Sequence, residues 1–173
     1  VLYAINAGGG AYQAQDGTAY MADDYVKGGS FGSTSDVIAG TAEQTLFKHE
    51  RWGRFIYALP VKEGEYDVTL HFAETWFGPE HVGNRTFNVA IEGVQQLEAF
   101  DPLLASGHDS AYTVTFKSIA VIDGELTIDF APVHDSASVR GVVVKGLDGH
   151  RLAPVPSHHR QQVLAAVPSD CPS

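Results

Sequence analysis

Residues 65–77, EYDVTLHFAETWF, constrain this chain more than any other stretch. Tyr66, Val68, Leu70 and Phe72 alternate with Asp67, Thr69 and His71. Side chains two apart on a strand share a face, so the pattern predicts a half-buried β-strand with its apolar face on a core. The alternation stops at Glu74-Thr75-Trp76-Phe77, and Gly78-Pro79 follows at once. Adjacent aromatics on a strand would point to opposite faces, whereas on a loop beyond its end both can face solvent or a ligand. A rigid strand that delivers two aromatics and a carboxylate to a loop makes a binding platform.

Shorter segments repeat the strand pattern along the chain. A first strand is expected over 2–6, running into Ala7-Gly8-Gly9-Gly10. That glycine run lacks the Gly-Lys-Ser/Thr continuation and the following helix of a phosphate-binding loop, so it predicts a tight turn instead. Segments 44–52 and 55–60 are strand candidates split by Gly53, which places Trp52 at a hairpin tip. Phe87, Val89 and Ile91 point inward on the next strand, and Glu92-Gly93 turns the chain into 94–100. Asp101-Pro102 signals a helix start and Gly107 its end, one or two turns on. Three late strands centre on Tyr112/Val114/Phe116, Leu126/Ile128/Phe130 and 139–147, with 131–136 a loop carrying His134 and Asp135. Residues 11–44 show no sustained period and are expected as polar loops, anchored by Tyr12, Tyr20, Tyr25 and Phe31. With Gly 18 and Pro 8 between so many short alternating segments, the chain is expected to be all-β with one short helix. At 173 residues one domain is expected, over 1–147. The Pro-, Ser- and His-rich segment 148–173 is expected to be a tail or linker, with one or two helical turns over 160–166.

Charge and cysteine content narrow the function classes. A net charge of -10 with no basic cluster disfavours nucleic acid and anionic membranes, whose affinity comes from Lys and Arg on phosphates. The single cysteine, Cys171, excludes an internal disulfide framework and a cysteine-rich zinc site. No apolar run approaches the roughly 18–20 residues of a membrane span, and no signal peptide opens the sequence. A chain starting at Val1 is expected to have been processed, or cut from a longer one.

Four aromatics, Tyr25, Trp52, Trp76 and Phe77, carry the strongest chemical signal. Trp52 stands among Glu50, Arg51, Gly53 and Arg54, a setting more exposed than most tryptophans have. Exposed rings cost apolar area, which soluble proteins confine to functional patches. Sugars present apolar C–H faces that rings can cover, and hydroxyl rims that Glu74 and Asp135 can bond. The competing expectation is that the four rings are core residues. Two carboxylates flanking a bond would instead make a glycosidase, with Glu74 and Asp135 as the pair. Asp16, Asp23, Asp24 and Asp36 offer oxygens for a structural calcium, although their spacing matches no EF-hand and aspartates also form turns.

In chain order, Tyr3-Ala4-Ile5-Asn6-Ala7-Gly8-Gly9, Asp24-Tyr25, Glu50-Arg51-Trp52, 66–77, Arg85-Thr86-Phe87-Asn88-Val89, Glu92-Gly93, Phe100-Asp101 and Val142-Val143-Val144-Lys145-Gly146 resemble the malectin family of carbohydrate-binding domains. The resemblance covers about 2–147. It implies a β-sandwich, a jelly-roll-like lectin or carbohydrate-binding-module fold whose loops hold the ligand at one end. It also implies that Tyr25, Trp52, the pair Trp76 and Phe77, and Asp135 contact sugar. Trp52 and Trp76 stand where the family's endoplasmic-reticulum member has tyrosines, which trades a phenol hydrogen bond for stacking area and leaves the disaccharide open.

The function expected from these readings is a non-catalytic carbohydrate-binding module. It would be a monomer, extracellular and of bacterial type, appended to a secreted polysaccharide-degrading enzyme. The alternatives are a stand-alone glycoside hydrolase using Glu74 and Asp135, and a protein-interaction domain.

Overall fold

The computed structural model describes residues 1–147. The expected tail at 148–173, with Cys171, lies outside the described residues. In chain order the strands are β1 (Tyr3–Asn6), β2 (Tyr12–Gln13), β3 (Ala19–Ala22), β4 (Val26–Ser33), β5 (His49–Pro60), β6 (Gly64–Phe72), β7 (Thr86–Ile91), β8 (Val94–Phe100), β9 (Tyr112–Val121), β10 (Glu125–His134), β11 (Ala137–Val139) and β12 (Gly141–Gly146). Two short α-helices interrupt them, α1 (Gln44–Lys48) and α2 (Pro102–Ser106).

The strands form two sheets. One runs β2-β3-β1-β12-β6-β9; the other runs β11-β5-β10-β7-β8, with β4 also on β5. The stretch 65–77 behaves as its alternation predicts: Tyr66, Val68, Leu70 and Phe72 are all buried on β6. They face Phe55, Tyr57 and Leu59 of β5, Phe87 and Val89 of β7, and Ile128 and Phe130 of β10 in one core. Phe72 and Phe87 meet across the sheets with ring centres 5.9 Å apart, and Phe55 stacks on Phe130 at 4.6 Å. Each such side chain contributes roughly 1.5–3 kcal/mol by leaving water, which makes the sandwich interior the main source of stability. Glu92 and Gly93 both take positive φ, as a two-residue hairpin turn requires. Asp101 caps α2 by accepting from the Leu103 amide at 2.9 Å.

Four segments depart from the sequence reading. Residues 11–44 are not all loop: they hold β2, β3 and β4. β2 and β3 are too short to show a period, and β4 is mostly glycine and serine, so its faces carry little hydrophobic contrast. Segment 44–52 begins as α1, which adds a second helix to the one expected. Gly53 does not break a hairpin; β5 runs through it, so Trp52 sits in mid-strand rather than at a tip. The reason is a bulge in β4 between Gly28 and Ser30. Gly29 and Gly53 both take positive φ there, and a side chain on Gly29 would strike the Trp52 carbonyl. Finally, 131–134 continues β10, and only Asp135 and Ser136 form the turn before β11.

The outer face of β6 is not fully solvated. Leu46 and Phe47 of α1 join Ile38, Tyr20 and Ala73 in a small second core. His71 is caught beneath it, its ring edge-on to Phe47 at 5.4 Å and its Nδ1 2.8 Å from Thr113 Oγ1. Burial pushes the His71 pKa down from 6.5 to about 4. Above pH 6.5 the ring is neutral in both folded and unfolded chains. Between 6.5 and about 4 only the unfolded chain takes up the proton, so stability falls as pH falls. Denaturant melts from pH 7 to 5 should show this loss, and the variant His71→Gln should show a smaller one.

Candidate functional site

The site grows from the end of β6. Glu74 is only 2% exposed, and the loop folds around its carboxylate. Oε2 accepts from the Trp76 and Phe77 amides at 3.1 and 3.2 Å. Oε1 accepts from Arg85 Nε at 2.7 Å, across from the start of β7. Arg85 Nη1 donates to the Ser136 carbonyl at 3.0 Å and lies 3.7 Å from Asp135 Oδ2. The guanidinium also covers the Phe77 ring, 5.4 Å from its centre. His108 Nδ1 meets the Phe77 main-chain carbonyl at 2.8 Å, which holds the backbone of the same residue. Trp76, between these anchors, is left 78% exposed.

β5 delivers the second indole. Trp52 pairs in register with Ser30 of β4 and Ser138 of β11, so neither neighbour competes for the space over the sheet. It is 40% exposed, while Arg51, pointing the other way, is buried against Asp23 at 3.0 Å. β10 and β11 follow one another along the edge of β5 opposite β4. The turn between them, Asp135-Ser136, is thereby brought beside Trp52, with Asp135 in a positive-φ conformation. Trp52, Trp76, Glu50, Arg85 and Asp135 line one cavity of about 410 Å³, together with Ser33 and Ser136. That volume lies in the range of small-ligand sites.

Arg140 supports the same loop from below. It is fully buried and donates to the Ala73 carbonyl at 2.9 Å, the Phe47 carbonyl at 3.3 Å and Thr75 Oγ1 at 2.8 Å. Its Nη2 lies 3.5 Å from Glu50 Oε1. Burial lowers its pKa, and Glu50 and Glu74 work against that shift.

The six residues singled out from sequence separate into groups. Trp52, Trp76 and Asp135 meet at the cavity. Phe77 lies beneath Arg85 as a support. Glu74, expected to contact sugar, belongs instead to the buried ion pair and is not among the residues lining the cavity. Tyr25 is not part of the site: it is 0% exposed and packs edge-on to Tyr3 at 5.5 Å between the sheets. Its loop position suggested exposure, but the chain already turns inward there to start β4. Glu50, Arg85, Ser33 and Ser136 were missed. The charged setting of Trp52 pointed toward Glu50, and a lone arginine opening an apolar strand was the signal for Arg85.

The aspartates weighed for calcium disperse. Asp23 takes Arg51, the Tyr57 hydroxyl at 2.6 Å and the Gly8 amide at 2.7 Å. Asp16 and Asp24 accept from the amides of Thr18 and Tyr25. Asp36 sits instead with His108 and Asp109, with ligand atoms within 4.8 Å of one another. Burial, with Asp36 adding to it, pushes the Asp109 carboxyl up, against the pull of His108.

The model of the malectin domain matches residues 1–147. The chain belongs to the malectin domain family, a carbohydrate-binding fold. Mouse malectin is 32% identical over 150 residues, covering 75% of this chain and 51% of its own length. Malectin-B of Xenopus laevis is 28% identical, covering 75% and 54%, and the rice kinesin-like protein KIN-14E is 28% identical over 82% of this chain and 14% of its own. The chain thus spans about half the length of the curated malectins it matches. Among solved structures, a β-glucuronidase of Bacteroides uniformis superposes with a TM-score of 0.74 at 19% identity, over 84% of this chain and 18% of that one. The plant receptor-like kinase ANX2 does so with 0.71 at 16%, over 83% and 47%. At these identities the two structures share the fold alone.

In this malectin domain the Glu74–Arg85 pair should be structural. Removing one partner from a buried pair strands the other, so Arg85→Met should lower unfolding free energy by about 3–5 kcal/mol in denaturant melts. Adding Glu74→Gln to it should recover part of that loss.

Proposed function

We propose that this malectin domain is a non-catalytic carbohydrate-binding module that holds a glucan-type or related oligo- or polysaccharide between Trp52 and Trp76. The observation that carries this reading is the placement of the chain's two tryptophans, both exposed, at one cavity beside Asp135. A pyranose laid on such rings gains apolar contact while Asp135, the serines and backbone groups bond its hydroxyls. Arg85, Glu74 and Arg140 hold the loop before ligand arrives, which limits the ordering cost of binding. Affinity for a short glycan is then expected in the micromolar range, roughly 8 kcal/mol.

Two observations support a non-catalytic role within a larger protein. Glu74, the acid expected to act with Asp135 across a glycosidic bond, is instead engaged by Arg85 and two amides. In the Bacteroides β-glucuronidase the same fold occupies 18% of a chain that also carries an enzyme. A tethered module of this kind raises the local concentration of its partner on polysaccharide. We therefore place the domain outside the cell, as a monomeric unit joined to a secreted polysaccharide-degrading enzyme. The ectodomain-bearing ANX2 receptor favours a second reading, a protein-interaction domain, which a glycan array separates: that reading predicts no response to any glycan.

Trp76→Ala and Trp52→Ala should each abolish retention on the glycan the array selects and leave the melting temperature nearly unchanged. A large fall in melting temperature, or retention unaffected by both, would refute the site. Incubation with the retained polysaccharide should release no reducing ends.

A further inference from the structure

The carbohydrate reading leaves open which chemical class of sugar the cavity prefers, and the charges around it bear on that choice. Three carboxylates, Glu50, Glu74 and Asp135, stand at or just behind the cavity wall, against two guanidiniums, Arg85 and Arg140. Arg85 lines the cavity but has its nitrogens engaged with protein oxygens, and Arg140 is not among the lining residues. Arg85 has Nε and Nη2 on Glu74, at 2.7 and 3.5 Å, and Nη1 on the Ser136 carbonyl. Arg140 is buried and is held mainly by the Ala73 and Phe47 carbonyls and Thr75. Its reach to Glu50 is long, 3.5 Å, so that carboxylate is only partly compensated. Asp135 is exposed, lies 3.7 Å from Arg85, and uses Oδ2 to cap the Ser136 amide at 2.8 Å. Trp52 and Trp76 line the same cavity, and the face of an indole attracts cations through its negative quadrupole.

Resting on the carbohydrate reading, we propose that the cavity selects a glycan bearing a protonated amine, an amino sugar, over the neutral sugar of the same linkage, and disfavours a uronate. The amine is placed between the indole faces with Glu50 and Asp135 as its counter-charges. A uronate carboxylate entering the same space meets those two acids, while the one guanidinium lining it, Arg85, already gives its nitrogens to Glu74 and the Ser136 carbonyl. The chain's net charge of -10 acts in the same direction at longer range, so the local contribution must be separated from it.

The test takes the neutral glucan retained on the array and compares it with glucosamine and glucuronate oligomers of the same length and linkage. Titration calorimetry with the full chain at low salt and mildly acidic pH gives the three affinities. The amine-bearing oligomer should bind about three- to tenfold tighter than the neutral one, with the uronate weakest. Glu50→Gln and Asp135→Asn should each narrow the ratio of amine to neutral affinity, whatever they do to neutral binding. Raising salt should narrow it too. A neutral oligomer bound as tightly as the amine overturns the charge preference and leaves the carbohydrate reading standing. A preference untouched by both substitutions comes from net charge alone and also overturns it. If no glycan is retained, the carbohydrate reading fails and takes this proposal with it.

Discussion

Taking a carboxylate and a guanidinium out of water costs several kcal/mol per ion, and their attraction offsets this only when the remaining polar atoms are also satisfied. The Glu74–Arg85 pair meets that condition. Both Glu74 oxygens are used, by Arg85 and by the Trp76 and Phe77 amides, and Arg85 gives its remaining nitrogen to the Ser136 carbonyl. The pair therefore ties the end of β6, the start of β7 and the turn between β10 and β11 at one point. The third of these segments is distant in sequence from the other two, and each contributes a cavity residue: Trp76, Arg85 and Asp135.

Buried arginines do similar work elsewhere at this end of the sandwich. Arg51 reaches under β4 to Asp23 and the Gly28 carbonyl, and Arg140 reaches to two carbonyls and Thr75. Each guanidinium satisfies main-chain oxygens that irregular loops would otherwise leave without partners. Support of this kind lets β5 and the loop after β6 hold two indoles toward solvent without collapsing them into the core. The exposed apolar area of Trp52 and Trp76 is thus a consequence of rigid support from beneath rather than of loose chain.

Much of this was legible in the sequence, because alternation is a direct image of burial. β6, β7, the Glu92-Gly93 turn and the Asp101 cap follow from local pattern alone, since one core face or one turn dictates each of them. Trp76 and Trp52 were also legible, by the charged and polar residues around them. What pattern could not show was which side chains meet once the strands are assembled. Glu74 looked like a solvent-facing acid until Arg85 was placed against it. Tyr25 looked like a loop aromatic because β4, rich in glycine, has no period to mark its start. α1 was concealed because its buried residues, Leu46 and Phe47, fit a strand as well as one turn of helix.

The central claim is that the two indoles form one binding surface, Trp52 on β5 and Trp76 on a loop held open by buried charge. The chain contains two tryptophans, so its NMR spectrum offers one indole N–H signal for each. Titration with the retained oligosaccharide should shift both signals together, along a single saturation curve, with the amides of Asp135 and Ser136 following. Indole signals that stay fixed while other amides move, or that move with different affinities, would contradict the account.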